Sequence, residues 1–310
     1  MTELFPILKL NQPSLLSVHR GLPIKTVVVR LQDLISSTYK FNSVLSKIKN
    51  AGGIHNYLEF RGNVILSLIM RDDILPHFTA KKYSLAINLL KPNFYTTPDC
   101  ETYEGEIIKL PDGRIFYGNV EKSFNQILKV LSITKKLISL CPNSMPLGQV
   151  KGCNNEQLKF HMVQLNSLGI YDFVFHVGDF FRHGNPTFIQ KAKVYSTFIK
   201  RRSRSLMLYG MGSQKKLNEY SFGDAYASMN YFIKARRGQE YTGTKLRRAN
   251  GRYSPVLARK NLIQMLKNID KVKHQTKLID YMEVPAWEED IVSNVPAMPE
   301  AVAMAIEIAH

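Results

Sequence analysis

Short, β-rich apolar runs recur through the middle of this chain with amphipathic segments between them, and no other feature limits its fold as much. The runs are Val27-Val28-Val29, Val64-Ile65-Leu66, Phe94-Tyr95, Leu147 to Val150, Phe173-Val174-Phe175 and Leu206 to Tyr209. Runs apolar on both faces suit parallel strands buried from both sides. Segments such as Asn155 to Leu168 and Pro186 to Arg202 supply the helical crossovers that parallel strands require. An open doubly wound sheet and a closed barrel both answer to this pattern. The open sheet usually carries a glycine-rich phosphate loop after its first strand. Neither G-x-G-x-x-G nor a P-loop occurs here. The 310 residues are near the size of one barrel. The expected fold is an α/β, TIM-type (β/α)8 barrel over residues 1–240, with residues 241–310 as a basic loop and helical extension packed on it.

Charge marks out that extension. The formal net charge is +17, and the excess is uneven. From Lys234 to Lys277 only Glu240 and Asp270 oppose a dense set of cations. Arg236, Arg237, Lys245, Arg247, Arg248 and Arg252 fall in its glycine-containing half, with Tyr241 and Tyr253 interleaved. Basic loops with aromatics suit phosphate contacts and base stacking. Arg259 to Lys277 reads equally well as a solvated helix face. A polyanionic partner, nucleic acid foremost, is the expectation.

Three dispersed cysteines, Cys100, Cys141 and Cys153, make no disulfide framework. They suit a reducing compartment, the cytoplasm, or the host cytoplasm for a viral protein. No run of eighteen apolar residues exists, so no membrane helix is expected. The histidines are scattered, with no C-x-x-C pair and no H-E-x-x-H, so neither a metal nor a cofactor is expected.

Polar groups cluster just after the apolar runs. Phe94 to Pro98 leads into Asp99, Leu147 to Val150 into Lys151-Gly152, Phe173 to Phe175 into His176-Val177-Gly178-Asp179, and Leu208-Tyr209 into Gly210-Met211-Gly212-Ser213. In a barrel the C-terminal strand ends share one mouth, where active sites form. Gln149 and Lys151 alternate on their strand and so point the same way.

Four stretches carry a family likeness. Gly52-Gly53-Ile54-His55 is followed by Gly62-Asn63-Val64-Ile65-Leu66. PNFYTTPDCET runs to Thr102. PLGQVKG, Pro146 to Gly152, precedes Leu158 to Gly178. LYGMGSQKKLNEYSFGDAYASMNYFIKARRG spans Leu208 to Gly238. In order and spacing, over about residues 50 to 240, they resemble the tRNA-guanine transglycosylase superfamily. Two departures stand out. Where that family has an aspartate directly after the strand matching Val64-Ile65-Leu66, this chain reads Ser67-Leu68-Ile69, with Asp72 and Asp73 slightly later. The family's zinc site of three cysteines and a histidine is absent, since no cysteine follows Cys153. The chain is most similar to zinc-free phage and bacterial paralogues that insert 7-deazaguanines into DNA.

The resemblance implies an exchange of guanine in DNA for a free 7-deazaguanine base, such as the 7-cyano form. The same exchange on tRNA, or a non-catalytic nucleic-acid-binding paralogue or subunit, are its alternatives. Breaking an N-glycosidic bond asks for a carboxylate at the anomeric carbon and a second acidic group for the base. Asp224 is the implied nucleophile; a helix N-cap is its structural alternative. Asp99 is the implied base-holding or acid–base residue, or else caps a turn. Gln149 is expected to meet the base O6 or to bond at the core rim. His176, Gly178, Asp179 and Gly212 complete the implied base pocket, although His176 also reads as a buried histidine and Asp179 as the partner of Arg182. Oligomeric state is left open.

Overall fold

The computed structural model describes residues 2–102, 107–109, 115–117, 119–181, 186–211, 214–243, 245–249 and 253–279. Eight parallel strands close into a barrel. In chain order the strands are β1 (Glu3–Leu8), β2 (Thr26–Arg30), β3 (Asn63–Ser67), β4 (Phe94–Thr96), β5 (Ile107–Lys109), β6 (Ile115–Tyr117), β7 (Met145–Gln149), β8 (Asp172–His176), β9 (Ser205–Tyr209), β10 (Ala225–Ser228), β11 (Gln239–Thr242) and β12 (Lys245–Arg248). The barrel runs β1-β10-β9-β8-β7-β4-β3-β2, and β5–β6 and β11–β12 are separate two-stranded sheets. The helices are α1 (Ser43–Asn50), α2 (Ile54–Leu58), α3 (Ala80–Leu90), α4 (Val120–Leu140), α5 (Asn155–Ser167), α6 (Gly178–Phe181), α7 (Pro186–Lys200), α8 (Gln214–Glu219), α9 (Asn230–Arg236) and α10 (Pro255–Ile279). This is the expected α/β, TIM-type architecture.

Alternation along each strand separates two apolar layers. Ile7, Val28, Ile65, Val174, Met207, Ala225 and Ala227 fill the barrel interior. Val27, Val29, Val64, Leu66, Phe173, Leu206, Leu208 and Tyr226 face the surrounding helices. Burial on both faces is why these strands read as unbroken apolar runs. Several helices start on side-chain caps. Asn42, Asn119 and Asn154 accept bonds from Val44, Lys122 and Gln157 amides at the heads of α1, α4 and α5.

Two of the eight barrel strands lie outside the apolar runs. β1 carries Glu3 and Pro6; β10 is the small-residue stretch Ala225-Tyr226-Ala227-Ser228. Their mutual pairing, Glu3 to Ala225 through Pro6 to Ser228, closes the barrel.

Residues Met1–Lys277 form one compact unit, and Leu278–His310 another. The division expected at residue 240 does not part the first unit. Leu257, Leu262, Met265 and Ile269 of α10 are buried in the same core as the barrel's outer layer. Asn261 ties the parts together: its amide donates to the Tyr231 and Gln239 carbonyls and its oxygen accepts from the Tyr241 amide. Residues from 280 onward, the last part of the expected extension, lie outside the described residues. No helix among the described residues is long and apolar enough to cross a membrane.

Candidate functional site

At the C-terminal ends of the strands the inward positions turn polar. Arg30, Ser67, Gln149, His176 and Tyr209 are the last residues of β2, β3, β7, β8 and β9. A cavity of about 400 Å³ opens here, lined by Arg30, Asp72, His176, Asp179, Tyr209 and Asn230 among others. That volume is in the range of small-molecule sites. Its walls mix the guanidinium groups of Arg30 and Arg71 and the His176 imidazole with the carboxylates of Asp72 and Asp179 and the apolar Ile7, Ile69 and Met229.

The ion pairs around the mouth hold its charges in place. Arg30 reaches Asp33, itself buried, at 2.5 Å. Arg71 pairs with buried Asp73 at 2.8 Å, and the other Asp73 oxygen, Oδ1, is buried without a partner. His176 Nδ1 lies 2.9 Å from Asp179 Oδ2, off the line that a hydrogen bond needs. Arg182, the partner expected for Asp179, lies outside the described residues, as does Gly212. The His176 ring stands edge-on to Tyr209, with ring centroids 5.1 Å apart. Burial is the first cause that pushes the Tyr209 phenol up, while its bond to Ser67 and the nearby Arg30 pull the other way.

Beside this cavity, Asp99, Gln149 and Lys151 form a buried cluster. Three donors converge on Asp99 Oδ1: the Cys100 amide at 2.9 Å, Gln149 Nε2 at 2.7 Å and Lys151 Nζ at 2.9 Å. Gln149 and Lys151 do point the same way, as their alternation implies. The Gln149 amide nitrogen is therefore spent on Asp99, and its oxygen Oε1 is buried without a partner. With its amide nitrogen bonded to Asp99 and its side chain fully buried, Gln149 offers no donor to a base O6; it makes the core-rim hydrogen bond that was the other expectation. Behind the cluster His161 is fully buried, with Nδ1 3.1 Å from the Lys151 backbone. Burial, above all, lowers its pKa to about 4, so it is neutral at pH 7.

Gly178 and Gly210 are needed by each other more than by a ligand. Gly210 sits in the left-handed region at φ +89°, and a Cβ on it would come within 2.8 Å of Gly178 Cα. The two loops after β8 and β9 touch backbone to backbone, which shapes the cavity wall.

Asp224 is elsewhere. It directly precedes β10, so it lies at the N-terminal end of the strands, whereas Asp99 follows the C-terminal end of β4. Its carbonyl accepts from the Glu3 amide and its own amide donates to the Leu206 carbonyl. Its carboxylate is taken by Lys200 Nζ at 2.8 and 2.7 Å and by the Leu206 amide at 2.7 Å. It lines a second cavity, of about 330 Å³, with Glu3, Phe5, Phe94 and Asp172. The length of the barrel, roughly 15 Å for strands of this size, separates Asp224 from the mouth. The expected pairing of Asp99 and Asp224 across one purine cavity is thus overturned. Asp224 is a strand-start anchor between α7, β9 and β10.

The cations of residues 236–248 lie at the end of α9 and on the β11–β12 hairpin. Arg236, Arg237, Lys245, Arg247 and Arg248 are exposed, while Arg252 lies outside the described residues. The β11–β12 hairpin is joined to the cavity wall by a hydrogen bond from the Asn230 amide to the Tyr241 hydroxyl. Among the described residues, no group of three His, Cys, Asp or Glu side chains is placed to hold a metal ion.

Sequence reasoning missed Arg30, Tyr209, Ser228 and Asn230. Arg30 and Tyr209 were within reach, since each ends an apolar run at the inward parity. Ser228 and Asn230 follow from β10, which has no such run. Compared with known families and curated proteins, the chain matches no family model and no curated protein.

Proposed function

We propose that this chain is a nucleic-acid-binding barrel whose mouth receives a nucleobase, DNA being favoured over tRNA as the polymer. The observation that carries this reading is the tie between Asn230 and Tyr241. It sets an exposed cationic hairpin next to a cavity of base-holding size. An extruded base reaching the mouth would meet the side chains that line it, among them the Asp72 and Asp179 carboxylates, Asn230 and the Tyr209 ring.

Exchange chemistry through Asp224 is not part of this proposal, because that side chain is on the other end of the barrel and bound to Lys200. A second reading keeps base exchange but moves its nucleophile. Asp72 and Asp179 both line the mouth cavity, from different strand ends, and paired carboxylates across a pocket are what glycosyl transfer uses. On that reading the incoming base is a 7-deazaguanine, as the family likeness implies.

One experiment separates the two. Labelled guanine is incubated with the protein and either duplex DNA or tRNA, and polymer binding is measured over a salt series. Salt-sensitive binding without uptake of label supports the binding-only reading. Uptake that is lost in both Asp72→Asn and Asp179→Asn supports exchange. Binding to neither polymer at any salt rejects both.

A further inference from the structure

The β11–β12 hairpin is a two-stranded ribbon that adds to no other sheet. Its register pairs Gln239 with Arg248, Glu240 with Arg247, Tyr241 with Leu246 and Thr242 with Lys245. Directly opposed residues share a face. One face therefore carries Gln239, Tyr241, Leu246 and Arg248, and the other Glu240, Thr242, Lys245 and Arg247. Tyr241 is buried and bonded to Asn230 and Asn261, so the first face turns toward the body of the protein through β11, while Leu246 and Arg248 on β12 stay exposed. The second face looks outward. On it Thr242, Lys245 and Arg247 are exposed, and Glu240 is faced by Lys260 at 4.0 Å.

We infer that this outward face is a groove reader for double-stranded DNA, which rests on the nucleic-acid reading above and names its polymer form. The argument is one of shape and charge together. Four residues per strand make a ribbon roughly 13 Å long. The major groove of B-form DNA is about 12 Å wide and about 8.5 Å deep and admits a two-stranded ribbon. The minor groove is too narrow, and the major groove of an RNA duplex is deep and closed to side chains. Lys245 and Arg247, two positions apart on one face, supply donors for phosphate oxygens or for guanine O6 and N7. Thr242 adds a hydroxyl that reads either. Single strands are gripped differently, by aromatic faces on which bases stack. The outward face of the ribbon has none, since Tyr241 is turned inward.

The test compares one sequence as duplex DNA, duplex RNA and single-stranded DNA, by fluorescence anisotropy over a salt series, with the full chain and with Lys245→Ala/Arg247→Ala. These side chains are exposed, and an unchanged thermal melting curve verifies that the variant folds. The expected result is a preference for duplex DNA. The double variant should weaken duplex DNA binding at least tenfold and reduce the log–log salt slope by about 2, with a smaller loss on the single strand. Equal losses on duplex and single strand, or a preference for duplex RNA, overturn the inference while leaving nucleic-acid binding standing. Undiminished duplex binding in the variant does the same. Failure of the full chain to bind any of the three polymers overturns this inference and the reading beneath it.

Discussion

The two ends of the barrel hold two aspartates in much the same way and use them differently. Asp99 at the mouth and Asp224 at the base are each clasped by one lysine and one backbone amide. Asp99 is almost wholly buried, and a glutamine joins its lysine there, leaving an unpartnered acceptor beside it. The Asp224 side chain is 39% exposed and its three bonds splice strand β10 to strand β9 and helix α7. A lysine–aspartate pair is thus not a functional mark in itself. What distinguishes the mouth is that carboxylates, guanidinium groups and a histidine together line its cavity, while the Asp224 carboxylate at the base is spent on the fold.

Substitutions can break this contrast. The largest effect is expected at Asp99. Asp99→Ala removes the buried acceptor shared by the Cys100 amide, Gln149 and Lys151, and losing a charged, buried hydrogen-bond acceptor is expected to cost about 3 kcal/mol. Urea unfolding measures this, and a further Lys151→Met change should restore part of the loss. Next comes Gly210→Ala, which adds a Cβ against Gly178 backbone at a positive φ and is expected to cost about 2 kcal/mol. Gly178→Ala should cost less, because the nearest atom it meets is the movable His176 Nε2. Melting temperatures of the two variants rank them.

Asp224→Asn is the sharper test of role. Its pair is partly exposed, so the loss should be about 1 kcal/mol or less, with polymer binding and any uptake of labelled guanine unchanged. If that variant alone abolished uptake, the assignment of the base end to structure would fail. The smallest effect is a slope with pH. Burial holds His161 neutral in the fold, with its pKa at about 4, below the usual value of about 6.5. Between those values the unfolded chain takes up a proton that the folded chain refuses. Stability is therefore full above that window and falls as the pH drops through it, by under about 1 kcal/mol from pH 7 to pH 6. His161→Asn, which keeps an acceptor for the Lys151 amide, should flatten the curve obtained by unfolding at each pH.

How far the sequence could be read follows from where burial leaves a mark. Six barrel strands are buried on both faces and show as apolar runs, so the closed parallel barrel was legible. β10 escaped because its inward positions, Ala225 and Ala227, are small and its outward Tyr226 stands alone. That single omission misplaced Asp224. Without a strand after it, Asp224 read as the nucleophile the resemblance implies or as a helix N-cap. With the strand present, the same aspartate is a residue before a strand, at the base. Gln149 and Lys151 were legible because strict alternation fixed which way they point, and Asp99 because it closely follows an apolar run. The direction of the Gln149 amide was not, since it depends on the buried donors around Asp99 that only the fold assembles. The cationic hairpin stood out by composition, but its two faces depend on register, which composition does not carry.

Closure of the barrel has one more consequence. A closed sheet offers no free strand edge, so among the described residues the open edges belong to the two small hairpins. In β12 that edge carries Lys245, Arg247 and Arg248, all exposed. Charged side chains on an open edge repel the approach of another strand. The same cations that suit a phosphate backbone therefore guard the ribbon against zipping onto a neighbouring molecule, and neutralising them should make the protein more prone to self-association as well as weaker in its grip on a polyanion.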